Sequence, residues 1–110
     1  IRVNGLAPTF QQLHLDDCFT ELAFNEDGVA VTGINNPDGS IVELWQSNEF
    51  KYLMAYTHRD LANLGVPVQA IALEPQTAPA NALNSQEGLI WLEPNENTSA
   101  NWGIRVKKSR

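Results

Sequence analysis

Short segments rich in β-branched and aromatic residues, separated by turn-forming residues, run the length of this sequence. They recur at intervals of roughly 10–15 residues, as the strands of all-β domains do, and none has the apolar spacing of a long amphipathic helix. Turn formers at 26–28 mark a hairpin, 35–40 is a loop built from turn formers, and 79–84 is long enough for one helical turn. The pattern predicts an all-β, antiparallel β-sandwich of about seven strands, at 13–24, 29–34, 41–46, 52–57, 68–74, 88–93 and 99–106.

Length and charge narrow the classes of function. The chain has 110 residues, which is enough for one domain, and we assign residues 1–110 to a single sandwich domain. Its formal net charge is −6, and an acidic surface repels phosphate backbones, so the sequence argues against nucleic-acid binding. No apolar run is long enough for a membrane span. Cys18 is the one cysteine, which excludes an internal disulfide and fits a reducing compartment such as the cytoplasm.

Glu74 is the residue whose position most suggests chemistry. It follows the apolar run from Ala70 to Leu73, so we expect it at the end of a buried strand, at the floor of a concave site, with a partly desolvated carboxylate suited to a general base. Pro75 and Pro79 stiffen the segment that follows. The alternative is that Glu74 is simply the first exposed residue after a strand.

The segment around Glu74 also carries a family resemblance. Leu73-Glu74-Pro75-Gln76-Thr77-Ala78-Pro79-Ala80-Asn81-Ala82-Leu83-Asn84 resembles the Glu-Pro-Met-Thr-Ala-Pro-x-Asp-Ala-Phe-Asn stretch of the aldose 1-epimerase (galactose mutarotase) family. Weaker similarities follow the family's order: Leu15-Asp16-Asp17-Cys18-Phe19 to its Asp-His-x-Phe element, Tyr56-Thr57 to a Tyr-Thr strand end, residues 88–96 to its leucine-rich strand and Pro-Gly-Glu turn, and Trp102-Gly103-Ile104 to its closing Trp-x-Ile strand.

The resemblance implies a β-supersandwich and an isomerase that interconverts the α and β anomers of a free aldose. In the family a glutamate takes the proton of the C1 hydroxyl while a histidine protonates the ring oxygen, without metal or cofactor. Glu74 is similar to that base, and Asp16 is similar to an aspartate that binds sugar hydroxyls. A galactose-like or glucose-like aldose is therefore the expected partner. The other possibility is a carbohydrate-binding β-sandwich module without catalysis.

The chain departs from the family pattern at four positions close to the matched motifs, which affects substrate preference: Asp17, Gln76, Asn81 and Leu83. The family's histidines lie upstream of the element matched by Asp16, so the chain resembles roughly the last third of a family member. We expect the upstream part of the same protein, or a second chain, to supply the acid and to cover the strands at 52–57 and 68–74. Residues 1–110 alone are then catalytically silent and not a stable monomer.

The remaining histidines and tryptophans have two interpretations each. On a strand, His14 would share a face with Asp16 and could line a sugar site, or it could simply be solvated. We expect His58 to be solvated in a polar loop, and Cys18 to be a small buried side chain. Trp91 and Trp102 are expected in the core rather than stacked on sugar, whereas Trp45 could do either.

Overall fold

A computed structural model describes Thr9 and residues 12–63 and 66–109, and this part of the chain is an all-β structure. Its strands form two antiparallel three-stranded sheets, the first ordered β1-β4-β5 and the second β2-β3-β6. One short helix, α1, lies between β5 and β6. The elements are β1 (Asp16–Phe19), β2 (Val29–Asn35), β3 (Ile41–Ser47), β4 (Tyr52–Asn63), β5 (Val66–Gln76), α1 (Ala82–Ser85) and β6 (Trp102–Lys107). The expected all-β, sandwich-like class is confirmed.

Strands β2 and β3 form a hairpin across the loop predicted at 35–40. The N–H of Gly39 donates to the carbonyl of Asn36 at 3.0 Å, and Gly39 has a φ of +86°, which favours glycine. Asp38 Oδ1 accepts hydrogen bonds from the N–H and the hydroxyl of Ser40, at 2.8 and 2.6 Å. Both hydrogen bonds lower the pKa of Asp38 below its ordinary value, and the bond from the Ser40 hydroxyl has the larger effect. The turn therefore joins the two strands by its own hydrogen bonds.

The hairpin expected at 26–28 is wrong. A turn forms there, with the N–H of Gly28 donating to the carbonyl of Asn25 at 3.0 Å, but β1 pairs with β4 rather than with β2.

The inner faces of the two sheets look toward one another. Leu44 of the second sheet and Leu53 and Ala55 of the first are buried. A cavity of about 260 Å³ lies between the sheets, lined by aliphatic side chains from both: Ile34, Val42, Leu44, Ile71, Leu73 and Ile104. The side-chain amide of Gln46 on β3 links the second sheet to the beginning of β4 in the first sheet. It donates to the carbonyls of Phe50 and Tyr52 at 2.9 and 3.1 Å. Gln46 is thus a satisfied polar residue in an apolar interior.

A charged cluster occupies the outer face of the second sheet. Glu43 on the central strand β3 is only 6% exposed. Its two carboxylate oxygens accept from Lys107 Nζ at 2.7 Å and from an Arg105 guanidinium nitrogen at 3.0 Å. The hydrogen bond from Lys107 and then the one from Arg105 lower the pKa of Glu43 below its ordinary value of 4.5. The cluster ties the edge strand β6 to the centre of its sheet.

Trp45 lies on the same outer face, packed against a glycine. The strand register places Trp45 opposite Gly103. A Cβ added at Gly103 would lie 2.6–2.7 Å from three atoms of the indole, which is closer than van der Waals contact allows. The indole therefore lies on β6 backbone that only glycine leaves open. This arrangement is packing between strands, with Trp45 half-buried.

Several strand predictions differ from the structure in extent. Strand β1 covers only 16–19 of the expected 13–24, whereas β4 and β5 extend to 12 and 11 residues. The predicted strand at 88–93 is wrong, since these residues form no strand pairing and Trp91 is 74% exposed. Trp102 is also exposed, so the core placement of both tryptophans is wrong. In the described ranges no helix has the length and apolar character needed to cross a bilayer.

Candidate functional site

The register of the first sheet brings Asp16 and Glu74 onto one face. Asp16 pairs with Tyr56 of β4, and Glu74 pairs with Met54 of the same strand. Paired residues share a face, and so do residues two apart, so all four side chains project from the same side. We call this side the carboxylate face. From strand spacing and rise per residue, the Cα atoms of Asp16 and Glu74 lie about 12 Å apart, with Met54 and Tyr56 of β4 between them.

The carboxylate face is the outer surface of the sheet. The next residue to Glu74 along β5, Leu73, lines the cavity between the sheets, so Glu74 projects away from that cavity. Strand β5 also continues past Glu74 to Gln76, and the Glu74 side chain is exposed. The expectation of a partly desolvated carboxylate at a strand end, on the floor of a concave site, is therefore wrong. Prolines follow as expected, but Pro75 belongs to the strand.

Tyr56 lies at the centre of the carboxylate face. It is directly opposite Asp16 on β1 and diagonal to Glu74 on β5. Its hydroxyl oxygen lies 3.1 Å from Nδ1 of His58, a hydrogen bond, and the two rings are tilted by 30° with centroids 6.0 Å apart. Two carboxylates, a phenol and an imidazole thus share one surface, which is a set of groups able to accept and donate protons.

The assignment of His58 to a polar loop is wrong. His58 belongs to β4, two residues after Tyr56, and it pairs with Ala70 on β5. The polar run that follows it suggested a loop, but β4 continues through a register shift between His58 and Leu61. The signal that was missed is the period of two that places Met54, Tyr56 and His58 on one side of a strand. Extending this alternation from Tyr56 to the next position on the same side places His58 on the carboxylate face.

Cys18 and Gln76 lie at the end of the face nearest Tyr52. The Cys18 thiol donates to Oε1 of Gln76 at 3.9 Å, a weak hydrogen bond across the sheet. Cys18 is half-buried rather than fully buried. Gln76 is one of the positions at which the motif departs from the family. Its side chain is thus held against β1 rather than directed at a ligand.

The segment after β5 folds back over Tyr52. The Tyr52 hydroxyl donates to Oε1 of Glu87 at 3.4 Å, and partial burial followed by the Glu87 charge raises the pKa of Tyr52 above its ordinary value of 10.0. Gly88, with a φ of +66°, lies close to the Tyr52 ring. The last residues of the motif form the turn of α1, where Asn84 donates to Asn81 Oδ1 at 2.6 Å. Leu83 is exposed on this helix.

His14 lies just outside β1. The strand begins at Asp16, and His14 Nε2 accepts a hydrogen bond from the Arg59 guanidinium at 2.7 Å. His14 is therefore exposed and held by β4 rather than carried by a strand shared with Asp16. Elsewhere in residues 12–63 and 66–109, no three His, Cys, Asp or Glu side chains gather as ligands of a metal ion.

Comparison of this chain with protein-family models, with curated proteins and with solved structures finds no match. The resemblance to the aldose 1-epimerases therefore rests on the sequence motifs alone.

Proposed function

We propose that this protein is an aldose 1-epimerase whose base is Glu74 and whose sugar-binding carboxylate is Asp16. One observation carries the proposal: residues of two separate motifs of the resemblance, 58 positions apart in the chain, project from one face of one sheet. Glu74 lies within the most specific motif, and Asp16 lies within the upstream one. The ligand is a free aldose, whose hydroxyls suit carboxylate acceptors.

The chemistry needs a base at one atom of the sugar and an acid at another. In the proposed reaction Glu74 takes the proton of the C1 hydroxyl as the bond between C1 and the ring oxygen breaks and C1 becomes an aldehyde. The ring oxygen gains a proton from the acid and the bond between C1 and C2 rotates. On closure at the other side of the carbonyl the ring-forming hydroxyl returns its proton to the acid and Glu74 returns its proton to the carbonyl oxygen, which yields the other anomer. Tyr56 lies beside Asp16 and diagonal to Glu74, and Nδ1 of His58 lies 3.1 Å from its hydroxyl oxygen, so this pair borders the proposed sugar site.

The first test is the rate of mutarotation catalysed by the full-length protein, followed by polarimetry on freshly dissolved glucose and galactose. Glu74→Gln keeps the shape of the side chain and removes the base, so we expect the catalysed rate to fall about 10²–10⁴-fold with an unchanged thermal unfolding temperature. The matched control is Glu26→Gln, an exposed turn carboxylate next to the second sheet. A rate in Glu74→Gln equal to that of the control would remove Glu74 from the reaction.

The second test separates sugar binding from folding at Asp16. A carboxylate that accepts sugar hydroxyls leaves them unpaired when it is removed, so we expect Asp16→Ala to weaken aldose binding about tenfold or more in calorimetric titration. Asp17→Ala is the control, because Asp17 is also exposed but pairs with Ala55 and belongs to the opposite face. If Asp17→Ala weakens binding as much as Asp16→Ala, the carboxylate face is not where the sugar binds.

A sugar-binding module without catalysis is the second candidate, and the exposed tryptophans favour it. Trp91 and Trp102 both present large indole surface to solvent, and such surfaces pack against the C–H faces of pyranoses. This candidate predicts aldose binding without any acceleration of mutarotation. It also predicts that Trp91→Ala abolishes binding while Glu74→Gln leaves it intact.

A further inference from the structure

Strand β6 is an apolar sheet edge. It pairs with β3 on one side, and no other strand of the described chain pairs with its outer side. Its alternate residues Trp102, Ile104 and Val106 face the inner side of the sandwich, yet they are 53%, 62% and 60% exposed. An edge strand with free backbone groups and an apolar row is a ready template for another strand.

The charges of β6 do not protect this edge. Arg105 and Lys107 alternate with the apolar residues, so they belong to the outer face of the sheet, where both bind Glu43. Natural edge strands are usually protected by charges that a docking strand would have to bury. Here the two charges are paired on the face opposite to the apolar row. The inner side of the edge is left apolar.

We propose that β6 pairs antiparallel with β6 of a second copy of this chain, about a two-fold axis at Ile104. In this register Ile104 lies opposite itself, and Trp102 lies opposite Val106 of the second copy. Both apolar pairs are aromatic or β-branched, the kinds of cross-strand pair that stabilise sheets. The two second sheets then form one continuous sheet of six strands.

The charge pattern favours this register over the symmetric register centred on Arg105. With the axis at Arg105, each guanidinium would lie opposite the other, and like charges directly opposite are destabilising. With the axis at Ile104, each Arg105 lies opposite Gly103 of the second copy, and Lys107 lies opposite Asn101. The strand is therefore complementary to itself in apolar surface, and no like charges lie directly opposite one another, although the two Arg105 side chains are diagonal neighbours.

The pairing of two six-residue strands is a small interface, so the dimer is reversible and forms as protein concentration rises. Sedimentation velocity across a dilution series measures it. We expect Ile104→Lys, which places two ammonium groups at the axis, to leave only monomer at every concentration. Ile90→Lys is the control, because Ile90 is also exposed but lies outside every strand, and this variant should dimerise like the unmodified protein.

A covalent test locates the contact independently of how Ile104→Lys folds. In a Cys18→Ser background, Ile104→Cys places two thiols across the axis with Cβ atoms about 5 Å apart, within reach of a disulfide or a short bismaleimide. We expect rapid covalent dimer from Ile104→Cys and none from Ile90→Cys at the same concentration. Monomer at all concentrations, a dimer that survives Ile104→Lys, or equal cross-linking of the two cysteine variants would each overturn the proposal.

Discussion

At the scale of single residues, the contact between Trp45 and Gly103 gives the sharpest prediction of stability. Gly103→Ala would place a methyl group inside the indole, so either the ring or the strand must move, at a cost of about 1–3 kcal/mol. Gly33→Ala is the control on the same sheet, because its Cβ would meet Ile41 at 3.5 Å, an ordinary contact. Urea unfolding followed by far-ultraviolet circular dichroism measures both variants. Equal stability of the two variants would show that the indole does not lie on Gly103.

Individual residues differ in how well the sequence predicted their surroundings. Glu74 and Asp16 were selected from motifs, and the sheet register does place them on one face. The exposure of Glu74 could not be predicted from the apolar run before it. A second sheet covers only one face of that run, and Glu74 projects from the other face. Trp91 was assigned to the core from its apolar neighbours. Burial depends on a partner surface, which neighbours in sequence do not supply.

At the scale of secondary-structure elements, hydrogen exchange separates the real strands from the one that does not form. Central strands β3 and β4 are paired on both sides, so their amides open only with large parts of the fold. We expect amides of Leu44 and Ala55 to exchange orders of magnitude more slowly than those of Ile90 and Trp91. Native-state exchange followed by NMR measures these rates. Comparable protection of Trp91 and Ala55 would show that 88–93 is a paired strand.

The loop between β2 and β3 was predictable from its turn residues, whereas the hairpin expected at 26–28 does not form and strand length was not predictable. The turn at 35–40 has Pro, Asp and Gly at positions that specify it, and β2 and β3 end within one residue of the expected bounds. Strand β1 was overestimated because only the part opposite 53–56 finds a partner on β4. Strands β4 and β5 were underestimated because they pair with each other through polar sequence that resembles a loop. Pairing, rather than composition, decides where a strand ends.

At the scale of the whole molecule, the cluster around Glu43 predicts loss of stability in acid. Its pKa is lowered in the folded protein by Lys107 and Arg105, so the unfolded chain takes up this proton more readily. The stabilising contribution is complete above the ordinary value of 4.5 and is lost as the pH falls from there through the lowered pKa. We expect the thermal unfolding temperature to fall over that range.

The variant Glu43→Gln tests this origin of the acid sensitivity. It should unfold several degrees lower at neutral pH, and its unfolding temperature should then decline less steeply below pH 4.5 than that of the unmodified protein. Glu26→Gln, in an exposed turn, should follow the unmodified protein. Parallel curves for Glu43→Gln and the unmodified protein would assign the acid sensitivity to other groups. Calorimetry across a pH series provides both curves.

The two sheets form a sandwich-like molecule in which each sheet covers part of the inner face of the other. Leu53 and Ala55 of β4 are buried on the inner face of the first sheet, the face that looks toward the second sheet. Tyr56 on the carboxylate face and the apolar row of β6 remain exposed. The sequence predicted that the fold would leave apolar surface uncovered, but it placed that surface on the strands at 52–57 and 68–74 rather than on β6. It could not identify β6, because the exposure of an edge follows from strand order.

The register shift between His58 and Leu61 also bears on how such a chain can change in length during evolution. Before the shift, the side chains of β4 alternate between the carboxylate face and the core. A single inserted residue would move every side chain beyond it to the opposite face of the strand. Beyond the shift, the strands pair only with each other, so an insertion or deletion there leaves Tyr56 and Ala55 in place. Length changes among descendants of this sequence should therefore accumulate at the far end of the β4–β5 hairpin and be excluded from 52–58.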